Sequence, residues 1–150
     1  MSLGLLGFRH LPQVMAIEQR AYPWPWTEGM FVDSIRNGHL CYQLSDQGVI
    51  HGYIIVLVAA GECHVLNVCV DPDHQGQGYG RALLQHALSA AVDLGAEDAL
   101  LEVRISNKTA IKLYESDGFE QVGLRKNYYP AGDAREDALV YRRQLLDFKR

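Results

Sequence analysis

The sequence predicts a mixed-sheet α/β domain. Three observations carry this. The middle of the chain alternates strand, helix, strand and helix between residues 62 and 116. The segments on either side read as hairpins rather than as further βαβ units. Inside the middle, Gln75-Gly76-Gln77-Gly78-Tyr79-Gly80 joins the apolar run Val65-Leu66-Asn67-Val68-Cys69-Val70 to a helical pattern starting near Arg81.

The elements follow in order. Met1 to Gly7 is apolar but has no basic leader region or convincing cleavage site, so it reads as a first strand or an untidy start. Leu11 to Ala21 is helical, with Val14, Ile17, Glu18 and Ala21 at helical spacing. Tyr22-Pro23-Trp24-Pro25-Trp26 breaks it, because each proline turns the residue before it away from helix. Thr27 caps a second helix running to about Asn37, with Glu28 in its first turn. Leu40–Leu44 and Val49–Val58 are strands joined by Ser45-Asp46-Gln47-Gly48. Glu62–Val70 is a strand after the turn at Ala59-Ala60-Gly61. From Arg81 to Leu94, the residues Leu84, Ala87, Leu88, Ala91 and Val92 make one apolar stripe, and Gly95 ends the helix. Asp98–Ile105 is a strand, and Asn107–Ser116 is a short helix placing Ile111 and Tyr114 on one face. Phe119–Arg125 and Ala138–Leu145 are the last strands, around a polar loop.

Composition narrows the class. At 150 residues, 48% hydrophobic and 21% charged, the chain suits a single domain, residues 1–150, with a real core. No apolar run approaches the ~20 residues of a membrane span. The three cysteines, Cys41, Cys63 and Cys69, are odd in number and lie in apolar runs, which points to a reduced, cytoplasmic protein. No metal-ligand spacing occurs, so no metal is expected. The net charge of −4 disfavours nucleic-acid binding. It suits a cationic partner, or simply solubility. Arg142-Arg143 through Lys149-Arg150 reads as a solvated basic tail, and a monomer or weak oligomer is expected.

The glycine-rich stretch is an anion cradle. Glycines at alternate positions let backbone N–H groups close around an anion, and the following helix adds the positive end of its dipole. A Walker loop fails, since Arg81 and Ala82 stand where lysine and a hydroxyl are needed. A dinucleotide fingerprint fails too, because Arg81 occupies the third glycine position. What remains is Q-x-x-G-x-G, Gln75 to Gly80. It resembles the acyl-CoA pyrophosphate loop of the GNAT N-acetyltransferase superfamily.

Glu102 interrupts the apolar strand Ala99-Leu100-Leu101-Glu102-Val103, on the same face as Leu100 and Arg104. A carboxylate there is solvated, paired with Arg104 or a neighbour, or functional. Tyr114 reads by itself as a core tyrosine on a helix face, the commoner fate of such residues.

Five segments match bacterial RimI-type protein N-terminal alanine acetyltransferases. They are Ile17–Ala21, Pro25-Trp26, Asn67 through Leu84, the blocks from Leu101 to Phe119, and Arg125–Pro130 with Arg135–Ala138. The last separates this branch from most small-amine acetyltransferases. The resemblance implies a GNAT fold, a central, mostly antiparallel twisted sheet with splayed parallel strands at Glu62–Val70 and Asp98–Ile105. It implies acetyl-CoA as co-substrate, held by the backbones of Val68, Cys69 and Val70, by Gln75, Gly76, Gln77, Gly78, Tyr79 and Gly80, and by Asn107. Arg81 adds a charge-assisted contact, or is a solvated helix-start arginine. One N–H, that of Val70, would polarise the thioester carbonyl. Glu102 becomes the general base and Tyr114 a hydrogen-bond donor to the departing thiolate. Trp26, Tyr128 and Tyr129, read as loop residues, would line a peptide groove. Glu136 and Asp137 would receive cationic residues of the substrate, or form only a solvated turn. The implied substrate is the N-terminal alanine of small-subunit ribosomal protein number eighteen; the alternatives are a relative acting on other protein N-termini, lysine side chains or small amines, and a non-catalytic acyl-CoA-binding module. Asp117 departs from the family, which often has an apolar residue there. His10-Leu11 replaces a more usual Asp-Leu helix start.

Overall fold

In a computed structural model, residues 1–148 are described. The strands are β1 (Ser2–Leu5), β2 (Leu40–Asp46), β3 (Val49–Ala59), β4 (Glu62–Val70), β5 (Asp98–Arg104), β6 (Glu120–Ala131) and β7 (Ala134–Gln144). The helices are α1 (Leu11–Ala21), α2 (Glu28–Arg36), α3 (Tyr79–Asp93) and α4 (Lys108–Ser116). Short 3-10 turns at Phe8–His10 and Pro72–His74 precede α1 and the glycine loop.

The strands form one sheet in the order β1-β2-β3-β4-β5-β7-β6. Every neighbouring pair is antiparallel except β4–β5. The β2–β3 hairpin turns at Gln47-Gly48, both at positive φ (51° and 81°). Such turns match the right-handed twist of the strands.

Side-chain alternation gives the sheet two buried faces. On one, Leu84, Leu88 and Ala91 of α3 pack over Ile54, Val65, Leu101 and Tyr141. On the other, Val14 and Ile17 of α1 and Phe31 of α2 pack over Tyr53, Ile55 and Cys69. Among the described residues no helix is long and apolar enough to cross a membrane.

The parallel pair decides where the site lies. β4 and β5 are in register only from Glu62↔Asp98 to Val65↔Leu101. A register shift against β3 places a bulge near Leu66 of β4, and bulges bend a strand. Beyond it the two strands part.

Several elements differ from expectation. The last two strands extend through what reads as a polar loop, with Tyr129↔Glu136 and Ala131↔Ala134 paired. Register shifts at Gln121/Gly123 and Arg125/Tyr129 break the alternation, which hides the strand from a period-two reading. Tyr128 and Tyr129 are therefore strand residues. Arg142 and Arg143 belong to β7 and pair with Asp98 and Asp117 at 2.7 and 2.9 Å, so this part of the basic end is no tail. Lys149 and Arg150 lie outside the described residues. Asp117 is buried as the partner of Arg143 and Gln85. His10 accepts a hydrogen bond from the Gly7 amide at 2.9 Å.

Candidate active site

The gap between β4 and β5 opens a cleft of about 790 Å³. That is within the usual range for a small-molecule site. Antiparallel ladder bonds alternate along a strand. The Asp71 amide donates to the His51 carbonyl at 2.7 Å, so with Val70 opposite Gly52, Cys69 also pairs its backbone with β3. The amides and carbonyls of Val68 and Val70 point the other way, into the gap. The Cys69 backbone is thus used by the sheet, although Cys69 still lines the cleft. The Cys69 side chain is buried on the α1 face, and burial pushes its thiol up to about 12.

The glycine loop closes one end of the cleft. Gly76 and Gly78 sit at φ 81° and 82°, a conformation that costs other L-residues about 1–2 kcal/mol. Nothing lies within 4 Å of where their Cβ atoms would be, and both glycines line the cleft. Gly80 serves packing instead, since a Cβ there would come to 3.2 Å from Leu113 of α4. Gln75, Gly76, Gly78, Tyr79, Gly80, Arg81 and Asn107 line the cleft. Gln77 does not; its side chain accepts from the Tyr79 hydroxyl at 3.0 Å. The Arg81 guanidinium donates to Ser116 Oγ at 2.7 Å, tying α3 to the end of α4. Asn107 caps α4 by accepting from the Ala110 amide at 3.2 Å.

Glu102 and Tyr114 lie on opposite faces of the sheet, and neither lines the cleft itself. Leu101 and Val103 point into the α3 core together with Tyr114, so Glu102 between them points away. Its partner is Arg125, with Nε 3.7 Å from the carboxylate, not Arg104. The Tyr128 hydroxyl interacts with Glu102, which raises the tyrosine's pKa. Tyr129 is raised to about 12 by burial and then by Glu102. Tyr114 is buried against Phe119, and desolvation, followed by Tyr129 and Cys69, lifts its pKa above that of a free tyrosine.

The strand irregularity at residues 125–129 has a cause. Asn127 adopts φ 52°, and its amide donates to Asp137 Oδ1 at 2.9 Å. Arg135 donates to the carbonyls of Asn127 and Tyr128. Such a bulge re-aims side chains, here the tyrosine pair. Glu136 accepts from Arg104 and from the Ser106 amide at 2.9 and 3.0 Å. Glu136 and Asp137 are thus fasteners of the hairpin, a role the sequence reading did not give them: it had them receiving cationic substrate residues or forming a solvated turn.

The two tryptophans divide differently from expectation. Trp26 packs its ring on Phe31, 5.0 Å between centroids, as part of the α1–α2 core. Trp24 is the exposed one, with the Arg104 guanidinium 5.7 Å from its ring and 4.5 Å from that of Tyr129.

Sequence reading missed Glu18 as a site organiser. It is 1% exposed and accepts from the Tyr53 hydroxyl, the Asn67 amide and the Trp26 backbone N–H. The signal was an acid at the spacing of Val14, Ile17 and Ala21. Tyr22 was missed too; it lines the cleft and donates to the Val68 carbonyl at 2.6 Å. His74 also lines the cleft, stacked on His51 with centroids 3.9 Å apart.

Comparison with known proteins agrees with this geometry. Residues 11–119 match the acetyltransferase (GNAT) family model. The [ribosomal protein bS18]-alanine N-acetyltransferase of Escherichia coli K12 is 44% identical over 139 residues, covering 93% of this chain and 94% of the relative. The enzyme of the same name from Haemophilus ducreyi is 36% identical over 129 residues, covering 85% and 89%. The crystal structure of the Escherichia coli ribosomal-protein-S18-alanine N-acetyltransferase superposes with TM-score 0.86 and 40% identity, covering 95% of this chain and 92% of that one. Ard1 from Thermoplasma volcanium superposes with TM-score 0.86 and 25% identity, covering 97% and 98%. The splayed parallel pair, the glycine loop and these matches together establish that the chain belongs to the GNAT acetyltransferase family.

Proposed function

We propose that this acetyltransferase moves the acetyl group of acetyl-CoA to the N-terminal alanine of ribosomal protein bS18. The observation that carries the donor half is the parting of β4 from β5. It leaves the Val68 and Val70 backbone groups facing a cleft that leads straight to the glycine loop. An extended pantetheine arm fits such a track as a strand fits a sheet edge. The amides of Gly76, Gly78 and the first turn of α3 suit a pyrophosphate at its end. The acceptor half rests on relatives of that name, which match nearly the whole chain. It rests also on the Tyr128–Tyr129 arm beside Glu102.

The residues divide the work as follows. Glu102 takes a proton from the substrate ammonium, directly or through water, because an ammonium has no lone pair to attack with. An α-amine, at about 7.7–8.0, gives up that proton far more easily than a lysine at about 10.4. The difference corresponds to roughly 3.5 kcal/mol. A backbone N–H on the open edge of β4 polarises the thioester carbonyl. Tyr114, whose raised pKa keeps it protonated, donates a hydrogen bond to the departing sulfur. Attack is direct. Cys69, the cysteine beside the cleft, stays a buried thiol and forms no acyl intermediate. The chain acts as one domain, and its three free, buried cysteines suit the cytoplasm.

The test is intact-mass analysis after incubation with acetyl-CoA. One peptide begins with the alanine of bS18; the other has a blocked N-terminus and an internal lysine. A single acetyl on the alanine peptide alone is expected. Acetylation of the lysine peptide alone overturns the reading.

A further inference from the structure

Tyr22 occupies a place that the transfer chemistry just described does not use. It is the residue that ends α1, and its amide still donates to the Glu18 carbonyl at 3.1 Å. Pro23 follows it and forces extended backbone, as its φ and ψ of −127° and 137° show. The side chain is thereby turned out of the helix and lines the cleft. Its hydroxyl donates to the Val68 carbonyl at 2.6 Å. The ring is thus fastened at both ends, by its backbone to α1 and by its hydroxyl to β4.

The position along the cleft matters. The glycine loop follows β4 directly, so the phosphate end of the cleft lies just beyond Val70. Val68, one step back along the strand's open edge, lies toward the opposite end. Tyr22 and Ala21 line the cleft, and the bond to the Val68 carbonyl puts the Tyr22 hydroxyl at that step of the edge. Cys69 and Tyr114 are close enough to Tyr22 to act on its hydroxyl electrostatically, so the ring lies on the same side of the gap as the residue read as the donor to the thiolate. The hydroxyl also takes the Val68 carbonyl, which would otherwise offer the next hydrogen bond to an extended ligand. The docking track therefore stops there.

We propose that Tyr22 is a specificity-determining residue for the donor. Its ring, pinned across the end of the cleft by the bond to Val68, admits a two-carbon acyl group and excludes longer ones. This rests on the acyl-CoA reading of the cleft. A packed apolar wall separates ligands that differ by one methylene by about 10–200-fold. A wall held at two points has little freedom to relax.

Calorimetric binding of acetyl-CoA, propionyl-CoA and butyryl-CoA tests the proposal without any peptide substrate. The wild-type protein is expected to bind butyryl-CoA at least about tenfold more weakly than acetyl-CoA. In Tyr22→Ala that gap is expected to fall below about threefold, because the wall is gone. If thermal melting shows Tyr22→Ala to be unfolded, Tyr22→Leu replaces it, with a partial narrowing expected. A wild-type protein that binds acetyl- and butyryl-CoA equally overturns the proposal. So does a folded variant that keeps the wild-type gap. A wild-type protein that binds no acyl-CoA overturns the donor reading itself, a result distinct from the other two.

Discussion

The hydroxyl of Tyr53 donates to Glu18 Oε1 at 2.7 Å, in a place where neither side chain reaches water. The same carboxylate accepts from Asn67 and from the backbone of Trp26. It therefore joins α1 to β3, to the part of β4 that borders the gap, and to the chain leading into α2. Tyr53→Phe leaves the carboxylate one donor short. The unfolding free energy is expected to fall by about 2 kcal/mol, measured by urea denaturation. A loss below about 0.5 kcal/mol would show that the remaining donors suffice.

Gly78 is required by its backbone, since the space around it is open. Gly78→Ala places a Cβ on φ 82°, a strain of about 1–2 kcal/mol. That strain is expected to shift the loop amides and lower acetyl-CoA affinity by about tenfold in calorimetry. Unchanged affinity would remove the loop amides from the donor site.

Glu136 gives a pH-dependent fastening. Burial alone would raise its carboxyl, but hydrogen bonds from Ser106 and Arg104 outweigh this and set it below the ordinary 4.5. A lowered value stabilises the fold above the unfolded pKa, and the stabilisation is lost as pH falls through the folded one. Glu136→Gln is expected to cost about 1–3 kcal/mol at pH 7. The cost should shrink as the pH is taken well below 4.5. Urea midpoints of both proteins at neutral pH and at about pH 3 give the comparison.

The cysteines give a check on direct attack. Burial pushes Cys41 to about 11 and Cys63 and Cys69 to about 12. At pH 8 the thiolate fraction is then on the order of 10⁻³ or less. Ellman's reagent is expected to find none of the three thiols in the native protein and all three after denaturation. Rapid labelling of Cys69 in the folded protein would reopen a covalent route.

Much of this was legible in the residues themselves. The apolar stripe of α3, the Thr27 cap and the Gln47-Gly48 turn mark their elements by local chemistry, and the structure has them there. The spacing of Gln75 to Gly80 was enough to find one end of the cleft. The remainder depends on contacts distant in sequence. The β6–β7 arm was hidden because the bulge around Asn127 is held by Asp137 and Arg135, eight to ten residues away. Trp24 and Trp26 cannot be sorted by sequence, since Phe31 claims one ring and Arg104 meets the other. The pairing of Glu102 with Arg125 rather than Arg104 follows from Glu136, across the β5–β7 pairing, drawing Arg104 away.

Glu102→Gln tests the central claim, because it removes the base and keeps the shape. The expected result is a fall in kcat/KM for the alanine peptide by about 10²–10⁴. Acetyl-CoA affinity by calorimetry should stay within about twofold, since Glu102 lies outside the lining of the cleft. Turnover within about threefold of wild type would contradict the assignment of Glu102 as the base.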